Sequence, residues 1–340
     1  MKKLLTLAIV FVFGIALIGC TQASTNDGSD SGNPFVGHEQ DEYIMVLGLR
    51  NIEYFKAHQY MWEKLGEDFG VKTTIMGTQD MDVANVSAAI DQAAAKNPKG
   101  IVLWGFDDGL ANSINQAIAN GIPVIPIIGD VNSDRDTYIG SSQTELGHTG
   151  AQAMCDALGG ESATGVVGIL SLPGVAQFDQ REEGFREGIE DLCPAVQVLE
   201  EAANTEADLA KAAAAASSML SANSDLDGFF GTDSTAAFGA LDAVRTADKI
   251  GDVLIVGMDR NSDILEAVKD EEIYATIAQN DVGSAYWALL ALITENYYGV
   301  PLTSDNEEAN VVTAPSLIYL QPNVVDSENV DYFLDQNEIY

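Results

Sequence analysis

From Tyr43 onward the chain alternates between two hydrophobic periods. Short runs rich in Val, Ile and Leu, at residues 43–49, 71–76, 101–104 and 122–128, have the continuous apolar character of strands covered on both faces. Between them, residues 54–69, 84–96 and 109–120 carry apolar side chains at helical spacing. That alternation predicts a parallel sheet with helices on both sides. A second series repeats the rhythm, with strands at 166–170, 196–199, 228–230 and 253–256 and helices at 144–158, 177–191, 205–221 and 234–246. The fold class expected is therefore α/β, with two Rossmann-like lobes.

The two series superimpose. Ile101-Val-Leu-Trp104-Gly105-Phe106-Asp107-Asp108 leads into a helix and then into Gly121-Ile-Pro-Val-Ile-Pro-Ile-Ile-Gly-Asp130; Gly228-Phe-Phe-Gly231-Thr232-Asp233-Ser234 does the same before Gly251-Asp-Val-Leu-Ile-Val-Gly-Met-Asp259. In each half an acid follows the carboxyl end of two neighbouring strands, the edge at which open α/β sheets bind ligands. Facing lobes would bring Asp107, Asp130, Asp233 and Asp259 to one cleft. Asp107 or Asp108, and Asp233 or Ser234, also stand where a helix N-cap belongs, and the sequence does not separate capping from ligand contact.

The amino terminus adds an address. Lys2 and Lys3 precede an apolar run over residues 4–18, too short for a comfortable membrane span and flanked like a secretory signal. Leu17-Ile18-Gly19-Cys20 resembles a bacterial lipobox, which implies that residues 1–19 are removed and that Cys20 becomes the lipidated first residue. The protein would then be exported and lipid-anchored to the cell membrane, facing the periplasm or the exterior. Residues 20–41 are small and polar and read as a disordered tether with a reach of about 25 Å.

The formal charge of −36 makes nucleic acid and anionic membrane surfaces poor partners. The acids are dispersed, so they read as a solvated surface, and a saline habitat is one hypothesis for them; unfolding midpoints that fail to rise with NaCl would count against it. Cys155 and Cys193 form an even pair in an oxidising compartment, which leaves two readings open, a disulfide or two buried thiols. His38, His58 and His148 show no metal-ligand spacing. Asn223-Ser-Asp225-Leu-Asp227-Gly228 begins like a calcium loop, but its twelfth position is Ser234, and a plain turn explains it better. The chain contains no Walker loop, nucleophile elbow or dinucleotide glycine fingerprint. No metal or cofactor is expected.

Several motifs together resemble the type 1 periplasmic sugar-binding proteins, the ribose- and galactose-binding-like family of ABC importers, over about residues 43–319. They are Gly121-Ile-Pro-Val-Ile, Tyr138-Ile-Gly-Ser-Ser, Gly174-Val-Ala-Gln-Phe-Asp-Gln-Arg181-Glu-Glu-Gly-Phe185, Val256-Gly-Met-Asp259-Arg260-Asn261 and Ala275-Thr-Ile-Ala-Gln279. The resemblance implies parallel-sheet lobes joined by a three-segment hinge. It places one lobe at 42–140 plus 280–308, with a returning helix near 281–298, and the other at 141–279 plus 309–340. It further implies a ligand site in which Arg181 donates to ring or hydroxyl oxygens, Asp259 accepts from adjacent hydroxyls and Gln279 does both. Asn51, Tyr54 and Phe55 match the family's polar-then-aromatic segment. His58, one turn on, is a further candidate contact, although a surface position on its helix is the simpler expectation.

Departures bear on the ligand. Ile128 stands where many relatives have the first of two acids, Thr232 replaces the usual Asn before Asp233, and Ala207 the usual aromatic; Trp104, Phe106 and Phe178 are candidate replacement faces, with core packing the default for Trp104. Fewer polar rim groups point away from ribose, toward a deoxysugar, a pentose derivative or another small polyol.

The function the resemblance implies is a solute-binding lipoprotein, a monomeric receptor rather than an enzyme, that passes a small sugar or polyol to ABC permease subunits. A sensor presenting a sugar or furanosyl signal to a chemoreceptor or kinase would use the same site. A carbohydrate-active enzyme is a weaker alternative, because acids alone do not exclude it but no special nucleophile accompanies them. A sugar-responsive repressor would need a helix-turn-helix segment before Tyr43, where the chain has an export signal instead.

Overall fold

The structure, a computed structural model, describes residues 39–340 apart from 298–301, 307, 310 and 312. The signal, the lipidation candidate Cys20, nearly all of the tether and His38 lie outside the described residues. In chain order the first half forms β1 (Glu42–Leu47), α1 (Lys56–Phe69), β2 (Lys72–Gly77), α2 (Val83–Ala94), β3 (Gly100–Trp104), α3 (Ala111–Ala119), β4 (Val124–Ile127) and β5 (Tyr138–Gly140). The second forms α4 (Gln143–Leu158), β6 (Gly165–Ser171), α5 (Ala176–Leu192), β7 (Val196–Val198), β8 (Ala203–Asn204), α6 (Leu209–Ala222), β9 (Leu226–Gly231), α7 (Ser234–Thr246), β10 (Leu254–Met258), α8 (Ser262–Lys269) and β11 (Ala275–Ala278). The chain then returns through α9 (Asp281–Tyr297), β12 (Leu317–Tyr319), β13 (Asn323–Val325) and α10 (Val330–Asn337).

These strands form two sheets, and the fold is a two-lobed α/β architecture. One sheet has the order β12-β5-β4-β3-β1-β2 and is parallel throughout. The other runs β13-β11-β10-β9-β6-β7 with β8 also on β6, and only β13 is antiparallel. Alternate residues of β1 face opposite cores: Tyr43, Met45 and Leu47 pack with Trp62 and Leu65 of α1 and Leu289 of α9, while Ile44 and Val46 pack with Ile90 of α2 and Ile114 of α3. Both faces of the sheet being covered is why these strands lack polar alternation.

The chain crosses between the sheets after β5, after β11 and after β12. The third crossing falls later than the sequence reading placed it. Residues assigned there to the second lobe from 309 onward include β12, which pairs with β5 in the first sheet, Ile318 opposite Ile139. A three-residue strand carries too little period to reveal its sheet.

Backbone conformation explains other shifts of boundary. Leu49 (φ 48°) and Ile128 (φ 70°) take left-handed conformations that no strand continues through, so β1 and β4 stop short of the apolar runs. Glu206 and Ala207 are left-handed as well (φ 51° and 53°), and Asp208 caps α6 by accepting from Lys211 N at 2.9 Å, so the helix predicted from 205 begins at Leu209. Cys155 in α4 and Cys193 just beyond α5 are joined in a disulfide, with Cα atoms 5.9 Å apart.

Candidate functional site

Arg181 is the anchor of the site. Gly147 of α4 and Gly184 of α5 let the two helices approach so closely that a Cβ at Gly147 would collide with the Arg181 carbonyl, and one at Gly184 with that of Thr144. This brings Arg181 against Gln143, at the first position of α4. The guanidinium is buried at 3 % exposure; its Nε donates to Gln143 Oε1 at 2.7 Å, and its Nη1 to the Thr232 carbonyl at 2.8 Å. The Phe178 ring lies 5.2 Å beneath it. Gln143 Nε2 in turn donates to the Ile128 carbonyl at 2.9 Å, which also accepts from Tyr138 Oη at 2.8 Å. A chain of hydrogen bonds thus runs from the second lobe, through Arg181 and Gln143, to the last residue of the β4 run. Three guanidinium N–H groups make no hydrogen bond among the described residues.

Carboxylates stand at the neighbouring strand ends. Asp259, after β10, is left-handed (φ 75°) and fixed through its backbone, its N–H donating to Ile277 O at 3.0 Å and its carbonyl accepting from Thr276 Oγ1 at 2.8 Å. Its carboxylate accepts a long bond, 3.3 Å, from Ser234 N and lies within reach of the Ser234 and Gln279 side chains. Asp233 caps α7 with Oδ1, accepting from Ala236 N at 2.9 Å, while Oδ2 is buried with no partner among the described residues. Burial pushes both carboxyls above the usual range, and the nearby Arg181 charge draws each part of the way back. Gln279 is buried at the end of the hinge strand, beside Asp259. The Thr232 side chain turns to Ser171, Oγ1 to Oγ at 3.1 Å, so this residue meets the site through its carbonyl.

The four acids expected at one place divide into two pairs. Asp107 and Asp130 line a cleft cavity of about 700 Å³ between the lobes, opposite Gln143, Gln177 and Gln180. Asp107 is exposed and caps the turn Asp108–Leu110 by accepting from Gly109 N at 2.7 Å. Asp130 is ion-paired with Arg135, whose Nε donates to it at 2.5 Å, so its charge is already compensated. Asn51 stands exposed on the turn after β1 and lines neither this cavity nor the smaller one described below.

The aromatic segment is packed into the first lobe. Phe55 is fully buried against Trp104, ring centroids 5.1 Å apart, and Trp104 in turn packs at a tilt against Phe106, centroids 5.0 Å apart. The Trp104 indole N–H is buried without a partner among the described residues, so core packing accounts for its ring and not for its polar end. His58 is not on the surface as expected for a helical His but is 0 % exposed, 5.4 Å from the Tyr54 ring and 5.7 Å from that of Phe55. Burial lowers its pKa to about 4 from the usual 6.5, which keeps it neutral.

Two functional candidates escaped sequence reading. Gln143 follows the Tyr138-Ile-Gly-Ser-Ser crossover directly, and its signal was a polar residue on the buried face at the start of a helix. Asp281 begins α9 just past β11, the same strand-end placement that singled out the other acids, and it is 4 % exposed. Burial raises its carboxyl to about 8.

The lobes also touch directly. Glu53, in the 3-10 turn Glu53–Phe55 of the first lobe, accepts through Oε1 from Ser262 N at 3.0 Å and Ser262 Oγ at 2.6 Å at the start of α8 in the second. Among the described residues no group of three or more His, Cys, Asp or Glu side chains is arranged to hold a metal ion. What the site offers is a mixture of fixed donors and acceptors between two lobes, a chemistry suited to a hydroxyl-rich guest.

Known proteins share this architecture. The chain is 24% identical over 255 residues to the ribose import binding protein of Bacillus subtilis, covering 74% of this chain and 79% of that protein. A sugar-binding protein of a sugar ABC transporter from Bacillus halodurans superimposes with a TM-score of 0.81 at 26% identity, over 86% of this chain and 100% of the other. An arabinose-binding protein from Geobacillus stearothermophilus gives 0.78 at 27% identity, over 86% and 99%. Residues 43–295 match the family described as periplasmic binding protein domain, and with its two parallel sheets and interlobe cleft this chain belongs to that family, one of binding proteins rather than enzymes.

Proposed function

We propose that the protein is an extracytoplasmic solute receptor that captures one small sugar or polyol between its lobes and delivers it to an ABC importer. The observation that carries this reading is Arg181, buried and aimed by Gln143 and Thr232, with uncommitted N–H groups beside the carboxylates of Asp233 and Asp259 and the amide of Gln279. Such a set pairs with a rim of hydroxyls, each able to donate and accept. The names of similar proteins support the ligand class, since they include import binding proteins for ribose and D-apiose and a D-allose-binding protein. The amino-terminal sequence supports a lipoprotein: cleavage before Cys20 and acylation of its thiol and amine would tether the receptor beside its permease.

Binding across the cleft draws on hinge closure, in which the guest needs only differential contact with the closed form. Isothermal titration against aldoses, ketoses and polyols tests the assignment. A saturating one-to-one heat for at least one of them, lost in Arg181→Ala, is expected. A flat response to the whole panel refutes it. Metabolic labelling with palmitate, compared between the natural chain and Cys20→Ser, tests the anchor.

A further inference from the structure

Beside the Arg181 site lies a second polar corner, of which the resemblance to sugar receptors names Tyr54 and His58 but not Asp281. Tyr54 Oη, both ring nitrogens of His58 and Asp281 Oδ1 are all buried, and none completes a hydrogen bond of normal geometry among the described residues, although Tyr54 and Asp281 stand close enough to interact side chain to side chain. They come from three elements, the turn Glu53–Phe55, α1 and the first residue of α9, yet they converge, with His58 Nε2 4.0 Å from Asp281 Oδ1. Buried polar groups in native proteins are almost always satisfied by protein, water or ligand, so a cluster of orphans marks a place built for something. Tyr54 and Asp281 also line a cavity of about 70 Å³ with Glu53, Arg260, Asn261 and Ser262, a space large enough for water or a small polar substituent. Arg260 and Asn261 directly follow Asp259, and Asp281 lies two residues past Gln279, which places the corner next to the Arg181 site.

The protonation of the group tells what it would accept. Burial holds His58 neutral and raises the Asp281 carboxyl to about 8, so at neutral pH neither carries a full charge. A carboxylic acid, a phenol and a neutral imidazole each offer a donor and an acceptor, the hydrogen-bonding character of an alcohol and not of a cation or anion.

We propose that Asp281, together with Tyr54 and His58, is a specificity-determining part of the ligand site that hydrogen-bonds one hydroxyl or hydroxymethyl group of the guest. The inference rests on the sugar-receptor reading above. It restores on the hinge side some of the polarity that Ile128 removes from the end of β4.

The test is a set of affinities measured by titration calorimetry at pH 7. D-ribose, L-arabinose, D-allose, D-xylose and D-apiose are titrated first, and the tightest binder is compared with its monodeoxy analogues on the natural chain, Asp281→Ala, Asp281→Asn, Tyr54→Phe and Arg181→Ala. The expected result is that Asp281→Ala weakens the parent sugar at least tenfold. One deoxy analogue should then bind the natural chain and Asp281→Ala equally within twofold, because its missing hydroxyl is the one Asp281 holds. A structural role would instead weaken parent and analogues by one common factor, and that result overturns the inference. So does unchanged affinity in both Asp281 variants and Tyr54→Phe; the latter two keep the inference testable should Asp281→Ala fail to fold. If Arg181→Ala abolishes binding while the Asp281 variants do not, only this inference falls. If no sugar binds the natural chain, the receptor reading falls and takes the inference with it.

Discussion

Removing the Glu53 carboxylate should loosen the contact between the lobes. Its Oε1 accepts two hydrogen bonds from Ser262 at the start of α8, where the N-cap residue Asn261 makes no side-chain capping bond. The first lobe thus does for α8 what a local cap does elsewhere, and the bond breaks if the lobes separate. A hydrogen bond to a charged group contributes roughly 1.5–3 kcal/mol, and an anion at a helix N-terminus adds about 0.3–1 kcal/mol. Because the pair is only partly buried, solvent screening brings the expected sum toward the lower end, about 2 kcal/mol. That corresponds to about a 30-fold shift between closed and open forms in Glu53→Ala. Since apparent affinity scales with the binding-competent fraction, the dissociation constant for a cleft ligand should rise by up to the same factor. Glu53→Gln keeps an acceptor and should lose less. Small-angle scattering with and without ligand, paired with calorimetry, reads both quantities. A Glu53→Ala protein with unchanged radius of gyration and unchanged affinity would refute the reasoning.

Other perturbations follow from the same geometry. Arg181→Lys keeps a charge but not the fork that engages Gln143 and Thr232 together, so ligand affinity should fall by roughly 10- to 100-fold while the far-ultraviolet dichroism stays unchanged. Replacing both Cys155 and Cys193 with Ala frees a loop of 38 residues, for which chain entropy gives about 4 kcal/mol, measurable as a lower denaturant midpoint with an unchanged binding stoichiometry. The His58 pKa is lowered to about 4, so the unfolded chain takes up a proton below 6.5 that the folded chain refuses, and stability is lost as pH falls from 6.5 through 4; His58→Gln should show a shallower decline across that window in thermal melts. Asp281 has the opposite sign, because its carboxyl is raised to about 8 and stays protonated in the fold while the unfolded chain ionises near 3.8; stability is lost as pH rises from 3.8 through 8, and Asp281→Asn should flatten that slope.

Long, strongly periodic elements were readable in advance because burial on both faces leaves its mark on every residue. The run from Tyr43 and the helix around Trp62 are of this kind, and the repeated strand-then-acid pattern led to Asp233 and Asp259. The short elements were not readable. β12 and β13 are each three residues long, too few for a period, and α8 and α10 are two-turn helices fixed by tertiary contacts such as the Glu53 bond to Ser262 and that of Arg260 Nη2 to Asn337 Oδ1 at 2.6 Å. Motif matching brought Arg181 to the site but not the residue that aims it, since Gln143 lies 38 positions away and meets it only through close helix packing. Asp107 and Asp130 have the right placement in sequence and different local duties, one as a cap and one as the partner of Arg135. His58 looked like a surface residue because one polar side chain in an amphipathic helix does not reveal that α9 covers it.

The central claim is that one small hydroxylated guest sits between the lobes in contact with Arg181. A crystal structure of the protein grown with the tightest sugar from calorimetry tests it most directly. The account predicts density for a single molecule whose oxygens lie within hydrogen-bond distance of the Arg181 guanidinium and the Asp259 carboxylate. Sugar bound elsewhere, with Arg181 still turned only to Gln143 and Thr232 and its remaining N–H groups facing solvent, would contradict it.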